Sequence, residues 1–149
     1  MAVNNSKSNN IIQFSRGRDE LYESYFTENA YFRSIQGFID GLKNKENCII
    51  INLVSDLEVR KNRNKVRFEK GGHYVSDQTM DKVYSHDIFN YIKKGENFGF
   101  IGIQNYSIPV YTIINNKFLS EIELFQFLEY NVNEVIRYYN EFKESKKWN

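Results

Sequence analysis

Cysteine, proline, tryptophan and histidine are nearly missing from this 149-residue chain: Cys48, Pro109 and Trp148 stand alone, and His73 and His86 are the only histidines. A lone cysteine excludes an internal disulfide and a thiolate-rich zinc centre, and it accords with a reducing compartment. Two histidines fall short of the three or four ligands of a zinc site, so Asp81, His86 and Asp87 read as surface polar residues rather than a metal centre. The glycines Gly71, Gly72, Gly99 and Gly102 lack the spacing and the lysine of a phosphate-cradling loop. Cys48 sits beside an apolar run, which predicts an inert buried thiol rather than a nucleophile. No metal and no cofactor are expected.

Long apolar runs are also missing. No segment approaches the roughly 18 residues that span a bilayer, and the opening stretch lacks the apolar centre of a secretory signal. A soluble, cytoplasmic protein with no membrane partner is the expectation. Residues 1–16 are dominated by Asn, Ser and other polar side chains, and they read as a flexible tail before one domain over residues 17–149. The abundance of Asn, Lys and Ile is a spelling common in low-GC bacteria, their mobile elements and their phages.

Aromatic residues, by contrast, make up 16% of the chain, with 12 Phe and 11 Tyr to be divided between core and interface. Apolar periodicity over Leu21, Tyr25, Phe32, Ile35, Ile39 and Leu42 predicts a helix from about Asp19 to Lys43. The continuous run Cys48 to Val54 predicts a strand covered on both faces, in the centre of a sheet. Met80, Val83, Tyr84, Ile88, Tyr91 and Ile92 suggest a second helix closed by Gly95. Phe98 to Ile103 and Val110 to Ile114 follow as strands, with Pro109 at an edge or strand start.

The C-terminal helix has the fullest signature. Ser120 and Glu123 form a capping box, and Ile122, Phe125, Leu128, Val132, Val135, Tyr139 and Phe142 recur at helical spacing. Tyr130, Ile136 and Tyr138 widen that stripe beyond what one neighbour covers, which leaves two readings, a wide core contact with more than one neighbour, the commoner case, or a homo-oligomer formed through this helix.

Charge is concentrated in one stretch. The net charge is +1, yet Arg60, Lys61, Arg63, Lys65, Arg67 and Lys70 fall within eleven positions. Pairing Leu57–Lys61 with Asn64–Phe68 across a turn at Asn62 and Arg63 gives a basic hairpin with its cations outward and His73 and Tyr74 nearby. The expected fold is therefore a single α+β domain: a mixed sheet and a basic hairpin packed against two or three helices, ending in a long amphipathic helix. No catalytic set accompanies it. The expected function is non-enzymatic protein recognition, with Arg60, Lys61, Arg63, Lys65, Arg67, Lys70, His73 and Tyr74 meeting an acidic protein surface and Tyr138 or Trp148 anchoring it.

Two other readings use the same region. The hairpin could track the phosphates of a nucleic acid, although a near-neutral chain is not the footprint of a dedicated binder. The predicted order of helix, three strands, helix and strand resembles the restriction-endonuclease-like core, implying a metal-dependent nuclease with Asp56, Glu58, Arg60 or Lys61, and Asp40. Arg60 departs from the lysine of that pattern, and Asp56 lies too near Glu58.

Overall fold

A computed structural model describes residues 30–42, 47–84, 89–103 and 105–146. The chain divides into two compact units, residues 1–45 with 64–90 and residues 46–63 with 91–149. The α+β class and the long C-terminal helix are as expected.

In the first unit, α1 spans Ala30–Asp40 and buries Ile35 and Ile39, four residues apart and therefore on one face. Residues 1–29, with the first half of the predicted helix and the predicted tail, lie outside the described residues. A short helix α3, Asp77–Thr79, runs into a π-helical turn at Met80–Tyr84. Ser76 caps α3: its Oγ accepts from the Thr79 N–H at 3.2 Å. The continuous helix predicted from Met80 onward is not formed, because Ile92–Lys93 is extended as β2.

The basic stretch is a helix and not a hairpin. α2 spans Leu57–Glu69, contributing residues 57–63 to the second unit and 64–69 to the first. Leu57, Glu58, Arg60, Lys61, Arg63, Lys65, Arg67 and Glu69 are straight-chain residues that lose little rotamer freedom in a helix. A tight turn at Asn62 and Arg63 would also have lacked the glycine that supplies a positive φ. The two glycines lie at the far end instead. There the Gly72 N–H bonds the Arg67 carbonyl and the Gly71 N–H bonds the Phe68 carbonyl, both at 2.9 Å, with Gly71 at φ 85°. That is a Schellman closure, which needs a left-handed residue where Gly71 stands. A Cβ on Gly72 would lie 2.6 Å from Arg67 Cγ. His73 to Val75 is loop.

The second unit is built on a four-stranded mixed sheet among the described residues, in the order β1-β4-β3-β2. β1 is Ile50–Val54, β3 Phe98–Ile103 and β4 Tyr106–Ile114. β4 pairs antiparallel with β3, through Ile101 opposite Ile108, and parallel with β1, through Ile50 opposite Val110. β1 thus stands at the edge rather than the centre, and Ile51, Leu53 and Val54 are exposed. Its largely apolar composition, broken only by Asn52, reflects an uncovered face, not two covered ones. Pro109 lies inside β4, opposite Phe100. The β1 ladder begins one residue later, at Val110, so Pro109 falls just outside it and the missing donor costs that ladder nothing.

The helix α4, Glu121–Lys146, covers one sheet face. The core there joins Tyr111 and Ile113 of β4 to Val135 and Tyr138, with Ile49, Phe98, Phe127 and Phe142 packed around them. The opposite face carries Ile101, Ile103, Ile108 and Val110, all buried.

Candidate functional site

The row of α4 that meets the sheet is Phe127, Asn131, Val135, Tyr138 and Phe142, not the stripe expected from the sequence. Asn131 is buried in that row with its Nδ2 donating to the Phe127 carbonyl at 2.7 Å, which satisfies the amide locally. Tyr138, expected as an exposed anchor, is buried. Its hydroxyl donates to the Gly99 carbonyl, and loss of solvent pushes its pKa up to about 12. Trp148 lies outside the described residues.

The rotation leaves another row uncovered. Phe125, Leu128, Val132 and Ile136 follow one another at steps of three, four and four residues, and all are exposed, Phe125 at 67% and Val132 at 51%. Lys143 continues the row and donates to Asn47 Oδ1 at 2.8 Å, just before β1, so this flank of α4 looks toward the β1 edge. Ile51 and Leu53 alternate with Asn52 along β1 and, by register with Tyr111 and Ile113, lie on the α4 side of the sheet. Leu53 is 73% exposed. The exposed row Phe125, Leu128, Val132 and Ile136 and the exposed Ile51 and Leu53 therefore share the α4 side of the sheet at its β1 edge, and the apolar surface they form is called the trough.

The other flank of α4 is an ordinary solvated surface. Arg137 donates to both carboxylate oxygens of Glu134, at 3.1 and 2.6 Å, and to Glu141 at 2.8 Å. These bonds hold the Glu134 carboxyl below its ordinary pKa. On that side a shallow cavity of about 450 Å³ lies between α4 and the β3–β4 hairpin, lined by Lys94, Phe100, Tyr138 and Phe142 among others. Its floor is aromatic, with the Lys94 ammonium 5.5 Å from the Phe100 ring centre. Ser107, Glu141 and Ser145 complete its lining, and the Ser145 hydroxyl donates to the Phe142 carbonyl at 2.8 Å.

The residues proposed from sequence as a docking face are spread around α2, since successive positions turn by about 100°. Lys61 pairs with Glu58 at 3.3 Å, and Lys65 with Asp77 at 3.5 Å. Arg63 donates to Asn115 Oδ1 and to the Lys117 carbonyl at 3.0 and 2.8 Å, with its guanidinium 5.6 Å from the Phe118 ring centre. It therefore anchors the segment after β4. Arg67 donates to Asn64 Oδ1 at 2.9 Å. Arg60 is half-buried, Lys70 follows the helix in a turn, and His73 is exposed in the loop. Tyr74 lies 5.2 Å from the Phe68 ring and donates to Asp77.

The nuclease reading needs carboxylates on a strand pair. Asp56 precedes α2, its N–H bonded to Asn116 Oδ1 at 2.7 Å, and Glu58 is in the first helical turn. No cluster of three metal-ligating side chains occurs among the described residues. His86 and Asp87 lie outside them, and Cys48 is half-buried rather than buried. No described helix is long and apolar enough to cross a membrane.

Sequence reasoning missed the trough because it merged two overlapping rows of α4 into one. Asn131 was the available signal: a polar residue in line with Phe127, Val135, Tyr138 and Phe142 shows that two rows exist. Comparison with family models, curated proteins and solved structures finds no match to this chain.

Proposed function

We propose that the chain is a protein-recognition module whose contact surface is the apolar trough between α4 and β1. One observation carries this reading: Phe125, Leu128, Val132 and Ile136 form a continuous exposed row beside the exposed Ile51 and Leu53 of an edge strand. Single exposed apolar side chains are ordinary, but a contiguous patch of several hundred Å² is a mark of an interaction surface. The edge supports it further. β1 reads Ile, Ile, Asn, Leu, Val, with none of the lysines, prolines or bulges that natural edge strands use to repel other chains.

The partner chemistry follows from the shape. A long apolar wall beside an apolar floor suits an amphipathic helix laid along the trough and anchored at three- and four-residue steps. Recognition by burial of this kind requires no catalytic set, in accord with the scattered carboxylates around Asp56 and Glu58.

A photo-cross-linking residue placed at Phe125, at Leu53 and, as a control on the solvated flank of α4, at Gln126 tests the reading in the full chain. Discrete protein adducts from the first two positions, absent from the third and lost on introducing Val132→Asp, are expected. Absence of adducts at both trough positions would refute it.

A further inference from the structure

Resting on that reading, we infer that the helix occupying the trough is α4 of a second copy of this chain, set antiparallel to the first about a two-fold axis at Val132. Antiparallel pairing about that residue places Phe125 against Tyr139 and Leu128 against Ile136, each twice by symmetry. The row is therefore complementary to its own reverse, as an isologous interface requires.

Charge selects the orientation. The first half of α4 carries Glu121, Glu123 and Glu129 and no cation, whereas Lys143 ends the apolar row in the second half. The same antiparallel register sets Glu121 opposite Lys143. Parallel pairing would instead oppose Glu121 to Glu121 and Glu129 to Glu129, a like-charge arrangement that specific interfaces avoid.

Area selects a second copy over a small ligand. The trough gathers six large apolar residues, each between 47% and 73% exposed, a surface suited to a protein face, of which each partner gives roughly 800 Å² in a standard interface. The axis is perpendicular to both helices, so the two sheets fall on the same side of the helix pair with their β1 edges facing each other across it. Ile51 and Leu53 of both copies would then be buried beneath the helix seam.

Sedimentation equilibrium of the full chain, with circular dichroism to verify folding, tests the proposal. The expected result is a dimer at micromolar concentration that Val132→Asp dissociates, raising Kd at least about 100-fold. Glu121→Lys and Lys143→Glu should each raise Kd about 3- to 10-fold, and the double reversal should restore it. A dimer insensitive to Val132→Asp, or one whose charge reversals are not mutually compensating, overturns the arrangement.

A monomeric wild type also overturns it, and radical footprinting of that monomer then separates the two levels of the argument. Strong labelling of Phe125 and Leu128 would remove the second copy while leaving the recognition surface open to a different protein. Protection of both in a monomer would mean that the chain covers its own trough, and the recognition reading would fail with the dimer.

Discussion

The Tyr138 hydroxyl and the Gly99 carbonyl oxygen are joined by a 2.5 Å hydrogen bond that ties the middle of α4 to β3. The phenol ring lies 4.7 Å from Phe98 and 6.3 Å from Tyr111, so one side chain connects two strands to the helix through both its ring and its hydroxyl. Tyr138→Phe keeps the rings and removes the donor, and a destabilisation of about 1–2 kcal/mol is expected in urea unfolding. Burial raises the Tyr138 pKa from 10.0 to about 12. The folded state thus holds this proton more tightly than the unfolded chain. Its contribution is whole below pH 10 and is lost as pH rises toward 12. Unfolding followed between pH 8 and 12 should show this alkaline loss, diminished in Tyr138→Phe.

Asn64 closes the loop that follows α2. Its Nδ2 donates to the Val75 carbonyl at 2.6 Å, and its Oδ1 accepts from the Val75 N–H at 3.2 Å and from Arg67. Asn64→Leu fills a similar volume but strands both backbone groups of Val75, at a cost of about 2–3 kcal/mol. Limited proteolysis should then cut within residues 70–76 at least tenfold faster than in the wild type.

The N-terminus of α4 rests on the Ser120–Glu123 box. Glu123 Oε2 accepts from the Ser120 N–H at 2.9 Å and from its hydroxyl at 2.7 Å. Ser120→Ala should cost about 1 kcal/mol. Those bonds lower the Glu123 pKa, so their contribution is present above the ordinary carboxyl pKa of 4.5 and fades as pH falls through the lowered value. Acid titration of stability should show a smaller decline in Glu123→Gln than in the wild type.

Leu53→Lys tests the edge itself. Leu53 is mostly exposed, so the substitution should alter unfolding stability by less than about 0.5 kcal/mol. Self-association measured by light scattering should nonetheless fall, because a charge on an open edge strand discourages added chains.

Local chemistry was legible wherever a short pattern sufficed. The Ser120 cap, the strand at Phe98–Ile103 and the α+β class could all be read from neighbouring residues. The region from Leu57 to Phe68 could not, because its alternating Leu57, Val59, Val66 and Phe68 satisfy a strand period while its straight-chain residues favour a helix. The glycines at 71 and 72 decide between them, but as a helix stop they have meaning only once the helix is assumed. β1 was misread for a different reason. A run whose only polar residue is Asn52 looks the same whether both faces are covered or one awaits a partner, and only pairing with β4 alone reveals the edge.

β1 waits a long time for that pairing. Asn52 bonds Thr112, sixty positions farther along the chain, so the strand leaves the ribosome well before its partner has been made. At roughly 5–20 residues per second, that interval lasts about 3–12 s. Throughout it a bare Ile-Ile-Asn-Leu-Val segment is open to chance pairing. Synthesis in the cell should therefore depend on chaperone capacity, and slower translation between residues 55 and 110 should lower the folded yield.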